Sequence, residues 1–269
     1  MSVLPSKPKP VTAPDFLSAR SRGAKLTILT GYDYTMARLL DEAGVDAILV
    51  GDSLGMVIQG HANALPVTLD EIIYHCRCVV RGTARAMVIA DLPFMTFQLG
   101  PSQALESAGR VVKEGGAHAV KLEGGERTAE AIKAIVRADI PVIGHVGLTP
   151  QSVHRFGGFK VQRQVERLLT DAKAVEQAGA FALVVECVPS ELAAKITESL
   201  SIPTIGIGAG PHCDGQVLVT QDMLGLYGDL RPKFVKRYTE AGLQIREAIE
   251  AYCREVREGK FPDAGHSFA

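Results

Sequence analysis

Tryptophan is absent from this 269-residue chain, and aromatic residues of all kinds make up only 6% of it. No stacking platform for a base or large heterocycle is therefore evident. An excess of one charge is missing too. The 29 basic and 30 acidic side chains leave a net charge of -1, which gives no reason to expect a nucleic-acid or membrane-surface partner. No apolar run reaches about 18 residues, so no membrane-spanning helix is expected. The five cysteines, Cys76, Cys78, Cys187, Cys213 and Cys253, are odd in number and include no Cys-x-x-Cys pair. That argues against a disulfide framework or a zinc knuckle and for a reducing, cytoplasmic setting.

The N-terminus lacks the apolar core of a secretory signal. It carries instead Pro5, Pro8, Pro10 and Pro14 among Lys and Ser, which predicts an extended, poorly ordered arm over residues 1–14. The remaining stretch, 15–269, has the length of one large α/β barrel and shows no internal boundary.

Eight short apolar, β-branched runs recur, at 26–29, 47–50, 87–90, 119–122, 141–143, 181–185, 204–207 and 216–219. Most are uninterrupted, as parallel strands covered on both faces should be. Helical spacing fills the gaps. Thr35 reads as the cap of a helix with Met36, Leu39, Leu40 and Ala43 on one face, ended by Gly44. Val165, Leu168, Leu169 and Ala172 repeat the pattern before Gly179. Ile245, Ala248, Ile249, Tyr252 and Val256 form a stripe near the end. All three stripes read as core packing. Strand alternating with helix predicts a (β/α)8 TIM barrel, with a doubly wound open sheet as the competing arrangement. The gap from Ile207 to Gln216 is too short for a full helix, so the seventh crossover must be irregular.

Polar residues stand at the C-terminal ends of these apolar runs. They are Asp52, Asp91, Glu123, His145 and Glu186. In a barrel such ends open onto one mouth, where active sites form. Several buried carboxylates around one mouth repel each other, and a cation relieves that. Oxygen-only donors select a hard ion, so Asp52, Asp91 and Glu123 are candidate ligands of Mg²⁺. Lys121 lies two residues before Glu123 and so faces the same way, one layer deeper. It can hold a substrate oxygen, or bridge to an acid of a neighbouring strand. Glu186, apart from the other acids, is a candidate general base, and His145 a donor to an oxyanion or to substrate.

Two motifs mislead. Gly51-Asp52-Ser53-Leu54 looks like an esterase nucleophile block, but it follows the second strand, and the Gly-x-Asn-Asp block that such hydrolases need is missing: the sole asparagine is Asn63. Gly206-Ile207-Gly208-Ala209-Gly210 suggests a dinucleotide turn, yet Pro211 stands where a glycine is required. A tight turn or close backbone approach is the better reading, with an anion nest left open.

Several segments, in order and spanning nearly the whole chain, resemble the 3-methyl-2-oxobutanoate (ketopantoate) hydroxymethyltransferase family. They are Thr30-Gly31-Tyr32-Asp33-Tyr34, Val50-Gly51-Asp52-Ser53-Leu54-Gly55, Ala90-Asp91-Leu92-Pro93-Phe94, Gly115 to Gly125, Gly144 to Ser152, Val185-Glu186-Cys187-Val188-Pro189, and Ile205 to Gly210 with Cys213 to Val217. The resemblance implies a barrel of the phosphoenolpyruvate mutase/isocitrate lyase superfamily. It implies transfer of a one-carbon unit from 5,10-methylenetetrahydrofolate to 3-methyl-2-oxobutanoate, giving 2-dehydropantoate, by Mg²⁺-stabilised enolate chemistry. It places Asp52, Asp91 and Glu123 at the metal, and Asp52, Ser53, Asp91, Lys121 and His145 at the substrate, with Glu186 as proton acceptor. It also implies a cytoplasmic homo-oligomer, a decamer with an exchanged C-terminal helix. A sister metal-enolate lyase and a non-catalytic metabolite-binding barrel are the alternatives.

Overall fold

The computed structural model describes residues 9–228 and 231–268. Its strands are β1 (Leu26–Thr30), β2 (Ala47–Val50), β3 (Met87–Asp91), β4 (Ala119–Glu123), β5 (Val142–Gly147), β6 (Ala182–Glu186), β7 (Thr204–Ile207) and β8 (Gly215–Leu218). They close into a parallel barrel in chain order, β8 pairing with β1. All eight expected strands are there. β5 runs furthest past its expected end, because Gly144-His145-Val146-Gly147 has no continuous β-branched signal. No helix separates Ile207 from Gly215, as the short seventh gap requires.

Side chains alternate across each strand. Ile28, Met87, Ile89, Ala119, Ile143, Val184 and Ile205 fill the barrel interior. The opposite faces join the helices in a second cluster that includes Val88, Val120, Val185, Ile132, Leu168 and Val175. Gly144 faces outward on β5. A Cβ there would lie 2.3 Å from the Val175 side chain, so only glycine lets the helix Val165–Gln177 pack so closely.

The chain departs from expectation in four places. Of the arm predicted over 1–14, residues 1–8 lie outside the described residues. From Val11 the chain is anchored, its N–H donating to the Arg85 carbonyl at 2.8 Å. Thr12 and Asp15 then form a capping box on the helix Ala13–Ser21, which carries Phe16, fully buried, edge-on to Phe181 among the interior residues. The cap of the helix Tyr34–Glu42 is Asp33, not Thr35: its carboxylate accepts the Met36 N–H at 2.9 Å. That helix buries Ala37 and Leu40 and leaves Leu39 exposed, so the expected stripe is rotated by about one position. The stripe of the helix Ala241–Arg257 is not core: Ile245, Ile249, Tyr252 and Val256 are all exposed.

The chain groups into two compact units. One extends to Leu218 and contains the whole barrel; the other begins at Val219. Among the described residues no helix is long and apolar enough to cross a membrane.

Candidate active site

The alternation that fills the barrel also builds its mouth. Asp91 continues the inward series of Met87 and Ile89. Lys121 and Glu123 continue that of Ala119, His145 follows Ile143, and Glu186 follows Ala182 and Val184. Parallel register then sets Asp91 beside Lys121, Glu123 beside His145, and Glu186 beside Gly147. Asp52 arrives from the turn after β2, where its backbone N–H donates to Asp91 Oδ2 at 3.4 Å.

Asp52, Asp91 and Glu123 thus each offer an oxygen within 4.8 Å of the others. Every one of them is buried, as are Lys121 and His145. Lys121 Nζ donates to both Asp91 oxygens at 2.7 Å and stands 3.7 Å from Glu123. The bridge to a neighbouring strand's acid is therefore made. His145 lies 3.6 Å from Glu123 through Nδ1 and 3.2 Å from Glu186 through Nε2, without a well-aligned hydrogen bond to either. The Glu186 carboxylate, at 14% exposure, opens to solvent and stays outside the triad.

Three carboxylates face two cationic side chains here. Burial, then Asp91 and Glu123, push the Asp52 carboxyl well above its usual range. Burial raises Asp91 too, against the pull of Lys121. Burial also works against ionised Glu123, but Lys121 and His145 outweigh it and hold that carboxyl low. Burial and Lys121 oppose the charge on His145; Glu123 and Glu186 prevail and lift it to about 9. The Glu123 Oε1 atom is buried with no hydrogen-bond partner, an acceptor still open to a cation. Oxygen donors in this number and spacing fit a hard divalent ion.

Two further residues belong to the mouth. Gln151 is buried and links four groups. Its Nε2 donates to Asp52 Oδ2 and to the Leu92 carbonyl, each at 2.9 Å, and its Oε1 accepts from Gln98 at 3.1 Å. Its backbone N–H donates to Glu123 Oε2 at 3.0 Å. Tyr32 is buried, its hydroxyl 2.7 Å from Ser53 Oγ, and burial raises its phenol. Tyr32 lies in the loop after β1 and Gln151 in a single 3-10 turn, Pro150–Ser152, and no strand-end signal marks either. Ser53 therefore has a fixed hydroxyl partner beside Asp52. Gly208 and Gly210 have positive φ, and a Cβ on Gly210 would meet Ser190 at 2.2 Å, so the glycine run is a close approach of backbone.

A family profile described as ketopantoate hydroxymethyltransferase matches residues 10–264. Proteins named 3-methyl-2-oxobutanoate hydroxymethyltransferase are similar over nearly the full length. That of Geobacter metallireducens is 58% identical, covering 95% of this chain and 97% of its own. That of Trichlorobacter lovleyi is 58% identical, covering 97% and 99%. One from Clostridium botulinum is 55% identical, covering 96% and 95%. Among solved structures, phosphonopyruvate hydrolase in complex with oxalate and Mg²⁺ superposes with a TM-score of 0.63 at 15% identity, covering 96% of this chain and 92% of that one. 2,3-Dimethylmalate lyase, a member of the phosphoenolpyruvate mutase/isocitrate lyase superfamily, gives 0.62 at 19%, covering 90% and 88%. These two share the fold.

Proposed function

The chain belongs to the ketopantoate hydroxymethyltransferase family, and from that premise we propose that it transfers a one-carbon unit from 5,10-methylenetetrahydrofolate to 3-methyl-2-oxobutanoate, giving 2-dehydropantoate for pantothenate synthesis. The observation that carries this reading is the buried convergence of Asp52, Asp91 and Glu123 in a mouth shared with Lys121, His145 and Glu186.

Asp52, Asp91 and Glu123 would hold one divalent ion, Mg²⁺ by the hardness of their oxygens. When bound, that ion polarises the carbonyl of the 2-oxo acid and so acidifies the neighbouring C–H. Glu186 accepts this proton, since its carboxylate is the one open to an entering substrate. The C–H is tertiary and weakly acidic, so a base is needed as well as a metal. Lys121 and His145 carry positive charge next to the acids and offset the negative charge that develops on the substrate oxygens. Ser53, oriented by Tyr32, supplies a hydroxyl to the substrate. Water cleaves the two C–N bonds of the folate's methylene bridge, releasing tetrahydrofolate and formaldehyde; the enolate carbon then attacks formaldehyde, and the resulting alkoxide takes up a proton to become the hydroxyl of 2-dehydropantoate.

Metal-dependent exchange of deuterium into 3-methyl-2-oxobutanoate, without folate, tests the proton-abstraction half. Folate-dependent formation of 2-dehydropantoate tests the rest. Absence of exchange overturns the reading. Exchange without folate-dependent product points instead to a metal-enolate lyase.

The protein is further read as a cytoplasmic homo-oligomer, a decamer as the family resemblance implies. The exposed stripe of Leu243, Ile245, Ile249, Tyr252 and Val256 supports association, because a single chain leaves it in water.

A further inference from the structure

Strand β6 stops directly after its acid, and the chain then changes sides. Ala182 and Val184 belong to the barrel interior, Leu183 and Val185 to the cluster shared with the helices, and Glu186 continues the inward series. Two more residues of the same alternation would set Val188 in the mouth, one layer above Glu186. Val188 is buried instead in the outer cluster. Its Cγ2 lies 2.9 Å from the point that a Cβ on Gly147 would occupy.

The residue between the two makes the difference. Cys187 has φ 48°, in the left-handed region that side chains rarely adopt. Among the described residues only Met95, Asp139 and Cys187 combine a side chain with a positive φ, and Cys187 alone directly follows a reacting group. Such strain persists where the surroundings over-determine it. Three backbone hydrogen bonds do so here. The Leu148 N–H donates to the Glu186 carbonyl, the Cys187 N–H to the Ile207 carbonyl and the Gln162 N–H to the Cys187 carbonyl, each at 2.9 Å. The first two finish the ladders from β5 and β7; the third holds the chain beyond the turn. The thiol itself is inert. Burial, then the charge of Glu186, pushes it up to about 12, so it stays neutral and sets no second charge beside the carboxylate.

We infer that Cys187 is a positioning residue: its left-handed backbone turns the chain out of the mouth directly after Glu186, so that Val188 packs behind the strand and the Glu186 carboxylate stays open to the 2-oxo acid. The inference rests on Glu186 being the base of the proposed reaction. The 14% exposure of that side chain is the opening that the turn preserves. A β-branched residue at position 187 resists the left-handed region and draws the backbone towards the extended one, which swings Val188 over the carboxylate.

The test follows metal-dependent deuterium exchange into 3-methyl-2-oxobutanoate, without folate and per folded protein. Cys187→Val should slow exchange by about tenfold or more. Its Mn²⁺ affinity, set by Asp52, Asp91 and Glu123, should move by less than about twofold. Adding Val188→Ala to that variant should bring exchange back up by about threefold or more, because the smaller side chain uncovers the base. The same addition removes buried volume and lowers stability, so a merely structural role for Cys187 predicts the opposite. The conservative Cys187→Gly takes the positive φ without strain and should keep exchange within about threefold of the unaltered protein. That variant decides where the valine variant fails to fold. Undiminished exchange in Cys187→Val, no recovery in the double variant, or a loss of about tenfold in Cys187→Gly overturns the inference and leaves the proposed function standing. If the unaltered protein exchanges no deuterium at all, the proposed function falls and this role falls with it.

Discussion

Replacing Gln151 by leucine tests whether the mouth is held together from the 3-10 turn Pro150–Ser152. The side chain is buried and makes three hydrogen bonds, to Asp52, to the Leu92 carbonyl and from Gln98. Leucine keeps most of the volume and makes none of them. Two neutral bonds contribute about 1 kcal/mol each and the one to a carboxyl somewhat more, so the metal-free protein should lose about 3 kcal/mol. The backbone N–H of residue 151 still reaches Glu123, so that carboxylate stays oriented. Only Asp52 is released. Loss of one outer partner of a ligating carboxylate lowers metal affinity about 10- to 100-fold. Mn²⁺ titration followed by electron paramagnetic resonance measures the affinity, and urea unfolding measures the stability. A folded Gln151→Leu protein with unchanged Mn²⁺ affinity refutes the idea that Gln151 orients the metal site. A fall in affinity with no fall in stability refutes the hydrogen-bond count instead.

Metal affinity should increase with pH. Burial and the neighbouring acids hold the Asp52 and Asp91 carboxyls above their usual range, so protons on them compete with an ion more strongly than on ordinary carboxylates. Calorimetry in buffers of differing ionisation enthalpy should detect proton release on binding, and an affinity that does not change as the pH is raised contradicts it. Glu186→Gln should abolish deuterium exchange while leaving metal binding intact, and unimpaired exchange removes Glu186 as the base. Asp91→Ala should weaken Mg²⁺ binding, and an unchanged affinity removes it as a ligand. Phe16→Ala should cost about 3–5 kcal/mol in urea unfolding, since the ring is fully buried among the interior residues; an unaltered midpoint means the N-terminal helix does not help to fill the barrel.

The candidate site was legible in the sequence for a reason particular to parallel barrels. Both faces of each strand are buried, so an acid at a strand end interrupts an apolar run and is conspicuous. A period of two then assigns the side: Met87, Ile89 and Asp91, or Ala119, Lys121 and Glu123, must point one way together. What that logic cannot reach is a side chain delivered by a loop. Gln151 and Tyr32 come to the mouth through turns whose paths no periodicity encodes. The caps show the same limit at short range. Asp33 and Thr35 can both cap a helix, and the choice depends on which backbone N–H ends up aimed at which oxygen, here Met36 at Asp33.

The C-terminal stripe marks a different boundary. Its spacing states correctly that one face of the helix Ala241–Arg257 is apolar, and burial within the same chain is the simplest inference from that. In the structure the face is bare: Ile249 and Tyr252 are more than half exposed. Periodicity reports that a surface seeks cover and carries no information about whose atoms supply it. An amphipathic helix therefore reads identically whether it completes its own core or an assembly. The two cases separate only in the folded chain, where the stripe is either already dry or still in water. Here it is in water, a difference that the continuous strand-and-helix pattern of the sequence hides.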